Sequence, residues 1–156
     1  MLSMSVTVMR EDVSAFNDAL DEFQRAQRRA QGRFNSAPAV PELSTSQYHL
    51  LEPLAKADGP VCVGALAESA GVSPPSATRM LDGLVKRGIV ERARDTTDRR
   101  LVRVDLTDHG RELFDKKHEL VLNARTRIFD ALTASERRAA ARLLSGLAAA
   151  IDELHP

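Results

Sequence analysis

A chain of 156 residues has the length of one domain with a sizeable buried core, and 43% apolar residues with only 4% aromatics and no Trp mean that Leu, Val and Ala must build its interior, a composition that favours helices. The formal net charge of zero argues at first sight against a polyanion as partner, but residues 73–103 carry eight basic and four acidic side chains while the rest of the chain is net acidic. Zero is therefore a sum over an uneven surface, with its positive excess in one stretch.

The opening MLSMSVTVMRED lacks the apolar core and small-residue cleavage site of a signal peptide, and no stretch approaches the ~18 apolar residues of a membrane span, so a cytoplasmic chain with no membrane partner is expected. Val13, Phe16, Leu20, Phe23 and Ala26 then recur at three and four residues and predict an amphipathic helix over about 12–31, whose stripe needs a partner. After the polar connector GRFNSAPAVPE, Ser44-x-x-Gln47 has capping-box spacing, with Leu43 and Tyr48 set for a hydrophobic staple. Leu50, Leu51, Leu54 and Ala55 follow at helical intervals. Pro53 is expected to kink this helix or remove one backbone hydrogen bond, and Asp58-Gly59-Pro60 ends it. Cys62, the one cysteine, excludes an internal disulfide and reads between Val61 and Val63 as a small buried hydrophobe.

Residues 63–88 predict two short helices and a tight turn. VGALAESA closes at Gly71, which suits a left-handed helix end, and Ser73 caps PPSATRMLDGLVKR with Pro74 at the first helical position. Ala77, Met80, Leu81, Leu84 and Val85 form a core-facing stripe, Ser76, Arg79, Asp82, Gly83 and Lys86 lie opposite, and Gly88 stops the helix. The period then changes to two: Val102, Val104 and Leu106 alternate with Leu101, Arg103 and Asp105, and IVERAR is the antiparallel partner strand across the DTTD loop. A long helix over about 109–131 follows. Thr133-x-x-Glu136 opens a last one bearing Leu143, Leu144, Leu147, Ile151 and Leu154, and these end helices carry more apolar face than one small domain covers.

The order helix, turn, helix, hairpin has the build of a helix-turn-helix with a wing. Short side chains at Ser76, Ala77 and Thr78 let the start of the second helix approach base edges, the helix dipole and free N–H groups there favour phosphate, and Arg79 reaches guanine or phosphate. Arg99 and Arg100 at the hairpin turn suit a narrow minor groove, and Asp98 is placed to direct Arg100. No catalytic residue, metal or cofactor is expected: His49, His109, His118 and His155 are scattered, and no Gly-rich phosphate loop or nucleophile motif occurs. The alternative is a winged helix used for protein–protein contact without DNA, which tolerates loss of the basic face that Arg79, Lys86, Arg99 and Arg100 keep here.

These residues also carry a resemblance. T-R-M-L-D-x-L-x-x-x-G at 78–88, D-x-R at 98–100, V-x-L-T-x-x-G at 104–110, the Leu43 to Gln47 start and L-T-x-x-E at 132–136 are similar to the MarR family of bacterial winged-helix regulators. The resemblance implies a mainly α fold with a small β-hairpin, a single domain over 1–156 with a winged helix-turn-helix core at about 44–106, and dimerisation helices at about 12–33 and 108–154. It implies a homodimer on a pseudo-palindromic double-stranded DNA operator, as a transcriptional regulator and repressor. Ser73, Ser76, Thr78 and Arg79 would meet the major groove and Arg100 the minor groove, with Asp98 and Arg99 beside it in the wing as further DNA-binding residues. A small effector, phenolic or aromatic, is implied near Arg33, Tyr48 and His49. Thr96 departs from the proline common in such wings, and Gly83 from a larger residue.

Overall fold

The computed structural model describes residues 2–35, 43–94 and 102–154. In chain order it contains α1 (Leu2–Asn35), α2 (Thr45–Lys56), β1 (Val61–Cys62), α3 (Val63–Ser69), α4 (Pro74–Lys86), β2 (Val90–Arg94), β3 (Val102–Leu106), α5 (Asp108–Asp130) and α6 (Ala134–Leu154). The chain divides into two compact units, Met1–Phe114 and Asp115–Pro156.

In the first unit the core is sealed by aliphatic side chains from α2, α3, α4, β2, β3 and the start of α5. Leu50, Leu51 and Leu54 of α2, Leu66 of α3, Leu81 and Leu84 of α4, and Val104 of β3 are wholly buried. Tyr48 joins them, its ring stacked on Phe114 at 5.1 Å between centroids and edge-on to His49 at 5.2 Å. The capping box of α2 forms as expected: Ser44 Oγ accepts the Gln47 N–H at 3.2 Å and Gln47 Oε1 accepts the Ser44 N–H at 3.1 Å. Pro53 does not end α2, which continues to Lys56, with the Ala57 N–H closing onto the Pro53 carbonyl at 3.0 Å. The proline lies one turn from the helix end, so the helix runs little further without its N–H.

Three expectations are corrected. Helix α1 begins ten residues before residue 12, at Leu2, and extends to Asn35. Val6, Thr7 and Val8 show no helical period, yet a nucleated helix propagates through residues of modest propensity. On α4, Ala77, Leu81 and Leu84 are buried, but Met80 is half-buried and Val85 is 38% exposed. At about 100° per residue the buried three share one line of the helix, while Met80 and Val85 flank it on opposite sides. Cys62 is half-buried rather than buried, because it stands in a third strand that the sequence did not announce. The sheet order is β1-β3-β2, with Val61 opposite Val104 and Cys62 opposite Arg103, and a two-residue strand is too short to show alternation.

The hairpin strands pair antiparallel as expected, with Val90 opposite Leu106 and Arg94 opposite Val102. Gly71 and Gly88 end α3 and α4 with φ of +62° and +66°. Gly110 answers a different need. A Cβ there would collide with the Ile89 carbonyl oxygen, which accepts the Thr107 N–H at 3.1 Å. Thr107 Oγ1 accepts the Gly110 N–H at 3.0 Å and donates to the Gly88 carbonyl at 2.6 Å, so the start of α5 is tied to the start of β2.

The second unit comprises the later turns of α5, the turn and α6. Thr133 caps α6, and Glu136 Oε2 accepts the Thr133 N–H at 2.7 Å. Arg137 lies over the Phe129 ring at 4.0 Å and donates to the Phe129 carbonyl at 2.9 Å, which fastens the turn. No residue of α6 is buried.

Candidate nucleic-acid interface

The turn Gly71-Val72-Ser73 joins α3 to α4 and presents the start of α4. Ser73 Oγ accepts the Ser76 N–H at 3.4 Å and donates to Ser76 Oγ at 2.9 Å. Pro74 and Pro75 have no N–H to give, and the Ala77 N–H is taken by the Ser73 carbonyl at 2.9 Å. The expectation of free N–H groups at this helix end is therefore corrected: the first turn either lacks them or has spent them, so recognition there falls to side chains.

Those side chains are well placed. Thr78, Arg79, Asp82 and Lys86 are exposed, and at about 100° per residue they fall within one arc of roughly 100° on α4. Ser73 is exposed at the cap. Ser76 is half-buried at the margin of the arc, beyond Arg79, with its hydroxyl engaged by Ser73. Among the described residues Arg79 pairs with no acid. Lys86 and Arg87 add exposed cations at the far end of the helix.

Strand β2 stands beside this helix and pairs with β3 on its other side. Asp98, Arg99 and Arg100, with Thr96, lie outside the described residues. Of the five arginines over 92–107, two turn inward to the protein. Arg103 donates to the Pro60 carbonyl at 3.1 Å, holding β3 to the end of the α2 to β1 connection. Arg92 reaches from β2 to α4, with Nη1 2.6 Å from Asp82 Oδ1 and Nη2 donating to the Thr78 carbonyl at 3.2 Å. Sequence reasoning placed Asp82 on the polar face and assigned Arg92 no task. The signal available was one acid and one arginine ten residues apart, and only the packing of β2 against α4 makes them partners. The Arg92 guanidinium offsets the Asp82 charge, so with Arg79 and Lys86 the arc is net positive.

Of the residues considered for an effector, only Tyr48 and His49 lie among those whose side chains are described, and their rings are in edge-on contact. Tyr48 is a core side chain, His49 pairs with Glu52 at 3.0 Å, and the Arg33 side chain lies outside the described residues. Among the described residues no three His, Cys, Asp or Glu side chains could share a metal ion, and no helix is long and apolar enough to cross a membrane.

Comparison with known proteins agrees with this geometry. Residues 43–102 match the MarR family. The chain is 30% identical to the transcriptional repressor CouR, whose structure was solved on a 23-mer DNA duplex, over 81% of this chain and 89% of that one, with a TM-score of 0.70. It is 25% identical to a mutant MarR from E. coli complexed with operator DNA, over 81% and 91% of the two chains, with a TM-score of 0.69. The PcaV regulator of Streptomyces coelicolor with its natural ligand, at 22% identity over 82% and 89%, shares the fold at a TM-score of 0.69.

Proposed function

The chain belongs to the MarR family, and we propose that it is a sequence-specific DNA-binding transcriptional regulator, a cytoplasmic ligand-responsive repressor that binds a pseudo-palindromic operator as a homodimer and catalyses no reaction. The observation that carries this reading is the arc of α4: Arg79 unpaired by any described acid, Lys86 exposed, and the charge of the one intervening acid offset from the wing. CouR and the E. coli MarR mutant, both solved on DNA, support it.

In this reading α4 enters the major groove. Arg79 addresses guanine O6 and N7 or a phosphate, Thr78 meets a base edge, and Ser73 and Ser76 line the approach. Arg100, directed by Asp98, enters the minor groove with Arg99 beside it, an assignment that rests on sequence. Two copies joined through the apolar faces of α1 and α6 present two reading helices to half-sites about 10 bp apart. A small phenolic or aromatic effector that fits one spacing of those helices better than the other releases DNA by shifting the population. PcaV, solved with its natural ligand, lends that expectation support.

A mobility-shift titration over a salt series, using duplex from the promoter region of its own gene, tests the function. Each phosphate neutralised contributes about −0.9 to the slope of log affinity against log salt, so binding weakens steeply with salt. No shift at low salt rejects DNA recognition. Arg79→Ala is expected to cost about 1–3 kcal/mol of operator affinity and relax specificity at the base it reads. Arg100→Ala weakens binding with fold and dimer intact, and unchanged affinity removes the minor-groove assignment.

A further inference from the structure

In the sheet order β1-β3-β2, strand β2 is an edge, and among the described residues it has no ladder on its outer side. At its start the Leu84 carbonyl accepts the Ile89 N–H at 3.0 Å; farther along the strand, beyond that backbone tie, its approach to α4 is set by side chains. Arg92, the middle residue of β2, stands opposite the buried Val104 and sends its guanidinium across to two points of α4, the Asp82 carboxylate at 2.6 Å and the Thr78 carbonyl at 3.2 Å. Those acceptors lie one helical turn apart. A planar fork that engages both defines a direction as well as a distance, which a lysine ammonium cannot do.

The two side chains are 28% and 51% exposed, a setting in which an ion pair adds little to stability. Asp82 also lies on the same arc as Arg79 and Lys86, where an unpaired carboxylate would repel phosphate. A contact of small stabilising value, made with an acid on an otherwise basic face, is explained by the geometry it imposes. We infer that Arg92 and Asp82 are positioning residues that set the angle of the wing to the reading helix without touching DNA. The inference rests on the DNA-binding reading above. Because each strand residue advances about 3.3 Å, a small rotation of β2 at Arg92 grows along the strand toward the hairpin tip.

The sign of one substitution separates positioning from direct contact. Operator affinity is measured across a salt series with a duplex that the wild-type chain enriches from a randomised pool. Asp82→Asn is expected to weaken binding about 10-fold, the scale of a coupled contact pair, although it removes a negative charge from the DNA-facing side. Arg92→Lys, which keeps the charge and loses the fork, weakens it comparably, and the double variant is no weaker than either single one. The salt slope stays at the wild-type value, and amide hydrogen exchange over residues 90–94 of the free protein speeds up. Both replacements are conservative, and circular dichroism confirms that the variants fold.

Asp82→Asn that binds as tightly as wild type, or tighter, overturns the assignment. So does an Arg92 variant that lowers the salt slope by about one, the signature of a lost phosphate contact. A wild-type chain that enriches no duplex at low salt overturns the DNA-binding reading and this assignment with it. Wild-type binding beside an unmoved Asp82→Asn variant overturns the assignment alone.

Discussion

Helices α4 and α6 both carry aliphatic stripes, and the stripes end in opposite environments. On α4, Ala77, Leu81 and Leu84 are wholly buried against the rest of the first unit. On α6 nothing is buried, and Leu143, Leu144, Ile151 and Leu154 keep 66%, 55%, 59% and 74% of their surface exposed. Helix α1 behaves like α6, with Val13, Phe16 and Phe23 about half exposed. The difference teaches that a helical period identifies an apolar face without saying whose surface will cover it. For α4 the cover is the same chain. For α1 and α6 the proposed cover is a second copy, since scattered surface apolars need no explanation but whole helical faces do.

Leu81→Ala attacks the sealed side of this contrast and has the largest expected effect. Removing a fully buried leucine side chain costs about 2–5 kcal/mol of stability, read from chemical denaturation. A loss below about 1 kcal/mol would mean that the first unit is less sealed than its burial indicates. Leu147→Asp attacks the open side. Leu147 is half-buried in the middle of α6, and a charge there is expected to weaken self-association by about 2 kcal/mol or more, the scale of an interface hot spot. Light scattering should report a monomer, while the thermal transition of the first unit moves little and operator affinity falls as a consequence. A dimer that survives the substitution rejects the placement of the interface on α6.

The smallest expected effect sharpens the contrast by showing what local interactions contribute to a helix with no buried face. Thr133→Ala should cost about 1 kcal/mol, seen as lost helicity in far-UV circular dichroism. The Thr133 hydroxyl first, and the Thr133 backbone N–H second, hold the Glu136 carboxyl below the usual glutamate range. A carboxylate with a lowered folded-state pKa stabilises above its unfolded pKa and loses that contribution as pH falls through the folded one. Helicity of α6 should therefore decline on acidification below the ordinary glutamate range, and Glu136→Gln should flatten that dependence.

What was legible in the sequence was what neighbours along the chain decide. The capping boxes at Ser44 and Thr133, the left-handed Gly71, the helix stop at Gly88 and the antiparallel pairing of the hairpin involve partners close in sequence, and each formed. The basic stretch was also legible as a charge excess. Which of its members are available to a partner was not, because Arg92 and Arg103 find their acceptors ten and forty-three residues away. Lys117 makes the same point in reverse. It follows Leu113 and Phe114 at helical spacing on α5 and is buried with its pKa lowered by that burial, a position that its charge would have assigned to solvent.

By itself the sequence determined the elements, their caps and turns, and the location of the cationic surface, since these follow from backbone propensity, hydrogen bonds within a few residues, and composition. Tertiary structure decided the third strand at Val61 and Cys62, the withdrawal of Val85 from the core, the close approach that requires Gly110, and the fastening of the wing to the reading helix by Arg92. Each of these depends on distances between segments far apart in the chain. Local spacing carries no information about such distances until the helices and the sheet have packed.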